Sequence, residues 1–182
     1  MRYKIVLIYL FLILLSLSCR EAKKADKLET ANNQIIKEYV FGRFCGECRG
    51  ICTLMYKFTL SENDTLMYSD YSNSYFTGNL KFLNEVKSKQ NKQNIYAVLH
   101  SFPSILYENK EKMYGYPDYT DGCGIYFEFT TIENQTYKFT MDFRKSEDIP
   151  NEITDYTYKM NSLVNKIFNT DSLGKELIKE KM

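Results

Sequence analysis

The chain has no tryptophan, a single histidine and only three prolines in 182 residues. With one histidine, any Ser-His-Asp or Cys-His arrangement would have to be built on His100. His100 follows an apolar run, and no G-x-S-x-G segment exists anywhere in the chain. It reads as a packed or half-exposed residue, and a hydrolase is disfavoured. An excess of charge is missing too, with 24 Lys+Arg against 23 Asp+Glu. Nucleic-acid binders carry a basic excess or a basic face, so nucleic acid is not expected as a partner. No internal repeat, Gly/Ser linker or low-complexity tract divides the chain, and its length suits one domain.

Aromatic residues are plentiful by contrast, with 16 Tyr and 12 Phe. The tyrosines suit half-buried surfaces and could form a platform for a glycan, although the missing tryptophan weakens that idea. The five cysteines are Cys19, Cys45, Cys48, Cys52 and Cys123. They are unevenly placed, and the first stands apart from the rest.

Residues 1–18 have the layout of an export signal. Arg2 and Lys4 provide the positive start, residues 5–15 are continuously apolar, and Ser16-Leu17-Ser18 closes the run. A membrane span needs roughly 20 apolar residues, and this stretch is shorter. Leu15-Ser16-Leu17-Ser18-Cys19 resembles the lipobox of bacterial lipoproteins. The resemblance implies cleavage before Cys19 and acylation of its thiol and new amino group. Several acyl chains make such an anchor stable where one would be marginal. The expected address is the bacterial cell envelope, with the outer membrane as the anchoring bilayer and the membrane itself as a partner through Cys19. Residues 19–34 are polar and mixed in charge, without an apolar stripe. Such a segment cannot bury enough surface to order itself, and it reads as a tether.

The folded domain is expected over residues 35–170. Residues 35–44 (IIKEYVFGRF) are rich in β-branched and aromatic residues. In residues 51–60, Cys52, Leu54, Tyr56, Phe58 and Leu60 alternate with Thr53, Lys57 and Thr59, the period of a half-buried strand. Residues 65–71 follow a turn as a returning strand. The period then changes. Leu80, Leu83 and Val86, and again Ile95, Val98, Leu99 and Phe102, recur at helical spacing around a polar loop, with Pro103 opening a further turn. In residues 124–132, Ile125, Phe127 and Phe129 oppose Tyr126, Glu128 and Thr130. In residues 136–143, Tyr137, Phe139, Met141 and Phe143 oppose Lys138, Thr140 and Asp142. Glu133-Asn134-Gln135 joins the two as a hairpin. Behind Pro150, Ile153, Tyr156, Met160, Leu163, Val164 and Ile167 trace a helical stripe. Gly174 is expected to break that helix or to separate a frayed last turn, leaving residues 171–182 as a helical tail. The reading is α+β, an antiparallel sheet of about five strands in the order β-β-β-α-β-β-α, with helices over one face.

Cys45, Cys48, Cys52 and Cys123 are the remaining candidates for chemistry. In an exported chain they allow one or two disulfides stapling the first strand junction to the start of the fourth strand. Gly122 and Gly124 flank Cys123 and permit close backbone approach, so Cys123 is expected beside FCGECRGIC. The Cys45–Cys48 C-x-x-C also resembles a zinc knuckle, which makes zinc an alternative cofactor. A redox pair would need a helix N-terminus to lower the thiol pKa, and strands flank this one. Tyr116-Pro117-Asp118-Tyr119-Thr120-Asp121-Gly122 resembles a calcium loop only loosely, because the D-x-D-x-D-G spacing is missing.

A further resemblance involves Gly42-Arg43-Phe44-Cys45-Gly46 leading into a strand, Asp121 and Tyr126 at a later strand start, and Ile149-Pro150 before the last helix. These are similar to emfourin, a small bacterial inhibitor of thermolysin-like metalloproteases, which implies a protease-inhibitor-like binding module. The functional expectation is therefore a lipid-anchored, cysteine-stapled, non-enzymatic binding or structural domain. A zinc or thiol-redox protein is the rival class, and a protein or glycan is the unidentified partner.

Overall fold

The computed structural model describes residues 35–46, 51–60, 65–87, 90–117 and 122–179. The signal segment, the tether and Cys19 lie outside them, as do Cys48 and Asp121.

Among the described residues, seven strands form one sheet. They are β1 (Ile36–Cys45), β2 (Thr53–Leu60), β3 (Thr65–Asp70), β4 (Asn84–Glu85), β5 (Glu111–Tyr114), β6 (Cys123–Thr131) and β7 (Thr136–Asp142). The helices are α1 (Lys92–His100), α2 (Asn151–Thr170) and α3 (Ser172–Lys179). Strand order is β4-β3-β2-β1-β6-β7-β5. The first strand of the domain is therefore central, hydrogen-bonded antiparallel to β2 and to β6.

The α+β class stands, but the expectation of about five antiparallel strands needs correction. The sheet has seven strands and is mixed, because β5 runs parallel to β7. Both extra strands are edges too short to leave a period in the sequence. β4 is two residues long, and only Tyr114 of the four residues in β5 is buried.

The helix expected from Leu80, Leu83 and Val86 is absent as well. A 3-10 turn (Asn73–Thr77) is followed by Gly78 at φ 71°, a left-handed residue that a continuing helix cannot hold. Leu83 is 79% exposed, and the Val86 amide donates to the Met67 carbonyl at 2.8 Å. The second stretch is helical as expected. Asn91 caps α1 by accepting the Gln93 amide at 2.8 Å, and Ile95 and Leu99 are buried. Pro103 precedes a separate 3-10 turn (Ser104–Glu108).

The β6–β7 hairpin forms in the expected register, with Phe127 opposite Phe139 and Ile125 opposite Met141. Asn134 turns the corner at φ 62°, a conformation asparagine tolerates better than most residues. Every residue of the expected α2 stripe is buried. That face packs on β1, β6 and β7, and α1 lies against α2. The Tyr156 hydroxyl donates to the Leu99 carbonyl at 3.1 Å and ties the two helices together.

Helix α2 ends at Asp171, which adopts an extended conformation, rather than at Gly174. Gly174 lies inside α3. It is required there because a Cβ would sit 2.4 Å from the Phe168 carbonyl oxygen.

One core fills the space between the sheet and the helices, built on Tyr39, Phe41, Leu54, Tyr56, Phe58, Phe127, Phe129, Phe139, Ile153 and Leu163 among others. The other face of the sheet carries a small second cluster of Val40, Phe44, Met55 and Tyr126, with Tyr75, Leu80 and Phe82 packed over it.

Candidate functional site

Of the residues the sequence singles out, the cysteines carry the strongest signal. Cys45 ends β1 and Cys123 begins β6, and the two are direct register partners. They form a disulfide with Cα atoms 4.0 Å apart. The Gly46 amide donates to the Gly122 carbonyl at 3.0 Å, and the Cys45 amide to the Cys52 carbonyl at 2.9 Å. Gly124, next to Cys123, is needed for close packing against neighbouring segments of the chain. A Cβ there would lie 2.6 Å from the Pro117 side chain and 2.8 Å from the Met141 carbonyl oxygen.

Cys52 is disulfide-bonded too. A sulfur held in a disulfide is not a thiolate ligand. In this state neither a four-thiolate zinc site nor a Cys45–Cys48 exchange pair is available. The cysteines at this end of the sheet act as a staple.

His100 is exposed, with its ring held by two tyrosines. Its Nδ1 lies 3.0 Å from the Tyr39 hydroxyl, and its ring stacks on Tyr96 with centroids 5.2 Å apart. The neighbouring Ser101 hydroxyl is turned back to the Val98 carbonyl at 2.9 Å. No nucleophile is presented to the imidazole by that serine.

Of the calcium-like segment, Asp118 and Asp121 lie outside the described residues. The Tyr116 amide donates instead to Asp142 at 3.1 Å. Asp142 also accepts from the Arg144 backbone amide at 2.8 Å and from its guanidinium at 2.7 Å. Burial pushes the Asp142 carboxyl up, but these bonds and the Arg144 charge outweigh it and hold the group below its usual range. This pair lines a cleft of about 690 Å³ with Lys112, Tyr116 and Pro150. Its carboxylate is committed to fastening the loop after β5 to the end of β7.

The feature that sequence reasoning missed lies on the sheet face away from the helices. Glu111, Lys138, Glu128, Val40, Lys57, Tyr68 and Glu85 are successive register partners, so one transverse row crosses all seven strands. Its charges alternate in sign except where Val40 and Tyr68 intervene. Part of this row floors a cleft of about 840 Å³, which the segment after β3 walls with Tyr75, Phe76, Asn79 and Leu80.

The polar groups of the cleft are partly satisfied among themselves. Lys57 pairs with Glu38 at 2.7 Å, and the Tyr126 hydroxyl donates to Glu128. Burial, and then the Glu128 carboxylate beside it, push the Tyr126 hydroxyl well above the usual tyrosine range, so it stays a donor. Lys138 Nζ lies 5.9 Å above the Tyr126 ring.

The aromatic wall is ordered by its own contacts. Tyr75 stacks on Phe44 at 4.7 Å and meets Tyr126 and Phe76 edge-on at 5.5 and 5.4 Å. Asp70 holds the base of this segment, accepting the Ser72 amide at 2.9 Å and the Lys81 amide at 2.6 Å. Alternation had already placed Lys57, Glu128 and Lys138 opposite the apolar faces of their strands. Their meeting in one cleft depends on strand order, which no local pattern encodes.

Comparison of the chain with protein-family models, curated proteins and solved structures returned no match. Of the residues that carry the likeness to emfourin, Gly42 and Tyr126 face each other across β1 and β6, and Pro150 directly precedes α2.

Proposed function

We infer that the chain is a lipid-anchored protein of the bacterial cell envelope whose stapled α+β domain binds a partner and performs no chemistry of its own. Cys19 is the residue that would carry the lipid, and residues 19–34 would hold the domain off the bilayer. The observation that carries the reading is the combination of an export-type N-terminus ending at Cys19 with a Cys45–Cys123 disulfide in the domain behind it. Disulfides of this structural kind persist in oxidising compartments such as the periplasm and the cell surface. Binding is favoured over catalysis because the serine beside the single histidine is turned back to the Val98 carbonyl and offers it no nucleophile. The open sheet face, meanwhile, offers a cleft of the size small ligands occupy. The near-neutral charge supports a partner other than nucleic acid.

The test is metabolic labelling of the full chain with a palmitate analogue, alongside cell fractionation. The unsubstituted chain should take up label and sediment with outer membranes. Cys19→Ala should lose the label and accumulate as precursor. Label retained by Cys19→Ala removes the lipoprotein reading.

A further inference from the structure

We propose that the cleft on the open sheet face binds a neutral, polyhydroxylated chain, a short oligosaccharide, and that Phe76, Glu111 and Lys138 are principal contacts. The proposal rests on the reading of this domain as a binding module and names what it binds.

The lining contains both kinds of hydrogen-bonding group. Glu38, Glu111 and Glu128 are acceptors, Lys57 and Lys138 are donors, and Asn79 and Thr140 can be either. Lys57 and Glu38 already neutralise each other. Glu111 and Lys138 are register neighbours on β5 and β7 but form no ion pair with each other, which leaves an acceptor and a donor side by side. A polyanion would meet three carboxylates in this cleft, and a polycation would meet two ammonium groups. A ligand whose every hydroxyl both donates and accepts can use the whole set without opposing charge.

The aromatic residues supply the second requirement of sugar recognition, an apolar flat surface. Phe76 is 47% exposed and stands at the end of the Tyr126–Tyr75–Phe76 edge-to-face series. The inner members are buried or half-buried and hold the outer ring in place. Such rings receive the apolar face of a pyranose while their neighbours bind its hydroxyls. From Glu111 on β5 to Lys57 on β2 the cleft crosses four strand spacings, about 19 Å, a length that suits a chain better than a monosaccharide. A peptide adding to this sheet would dock along a strand edge, where backbone groups are exposed. The cleft is on the face and offers side chains only.

The experiment titrates the full-length protein with soluble linear hexamers of glucose, mannose and N-acetylglucosamine, read by saturation-transfer NMR and calorimetry. A sulfated heparin fragment and oligolysine are the charged controls. At least one neutral hexamer should bind saturably, and Phe76→Ala and Glu111→Gln should each weaken it roughly tenfold, the first by removing a stacking face and the second by weakening a hydrogen bond to a charged group. Both residues are exposed, so circular dichroism should be unchanged. Lys159→Ala, on the solvent side of α2, should leave binding intact. Binding of a charged polymer alone, through Phe76 and Glu111, overturns the oligosaccharide and keeps the binding module. Absence of binding by all three neutral hexamers, or neutral binding indifferent to both variants, also overturns the proposal. Neither result bears on the lipid anchor, which the Cys19→Ala labelling decides separately.

Discussion

The Tyr71 hydroxyl donates to the Asp171 carboxylate at 3.0 Å across 100 residues of sequence. Asp171 also accepts the Lys87 amide at 2.9 Å and the Gly174 amide at 3.4 Å. This buried carboxylate thus joins the end of α2 to the chain leaving β3 and the chain leaving β4. Asp171→Ala would take this acceptor from the Gly174 and Lys87 amides and one of two partners from the Tyr71 hydroxyl, and a buried donor left without a partner costs about 1–3 kcal/mol. Tyr71→Phe removes the bond to Asp171 and the one to the Tyr56 hydroxyl at 3.3 Å, and should cost less, about 0.5–1.5 kcal/mol per bond. Urea denaturation of both variants checks the order, and equal losses would mean that Tyr71 is the only partner that matters.

The Cys45–Cys123 bridge closes a loop of 78 residues. In the chain-entropy account a crosslink of that span is worth about 4 kcal/mol. The Cys45→Ser, Cys123→Ser double variant should unfold at a lower denaturant concentration by that margin. The unsubstituted protein in strong reductant should shift in the same direction. A reductant shift without an effect of the double substitution would move the stabilisation to the disulfide of Cys52.

With Cys45 bound to Cys123, and Cys19 acylated as proposed, Cys48 is the cysteine left to pair with Cys52. Peptide mapping without reduction should recover a Cys48–Cys52 crosslink beside the Cys45–Cys123 one. Recovery of Cys48 as a free thiol would contradict the pairing.

Asp142 should shape the acid limb of stability. Its folded-state pKa lies below the ordinary value, so the stability it contributes is complete above the unfolded value of about 3.9 and is lost as pH falls through the folded one. Asp142→Asn should therefore be less stable than the parent at neutral pH, and the gap should close on acidification. Melting temperatures of both proteins across the acid range measure this. A gap that stays constant with pH would show that the Arg144 and Tyr116 contacts do not depend on the charge.

Leu163, on the α2 face that packs against the sheet, is 6% exposed. Leu163→Ala should cost about 2–5 kcal/mol, measurable as a lowered denaturation midpoint.

Much of the domain was legible in the sequence because the deciding signals were local. Alternation in β2, β6 and β7 set which side chains face the core, and the stripe from Ile153 to Ile167 set the buried side of α2. Burial of each side chain drives these elements, so their periods appear directly in the residue order. The glycines beside Cys123 pointed to a close backbone approach there, and Cys123 does meet Cys45 across the β1–β6 register. The two edge strands left no such trace. β4 and β5 are held by hydrogen bonds to β3 and β7 rather than by an apolar face.

Tertiary structure alone decided the strand order, which put β1 at the centre and β5 parallel at the rim. That order aligned Glu111, Lys138, Glu128 and Lys57 in one row and laid Tyr75 and Phe76 beside it. Cross-strand neighbours are chosen by long-range pairing. Residues that look like ordinary solvent-facing positions one strand at a time become a cleft only when the strands are assembled.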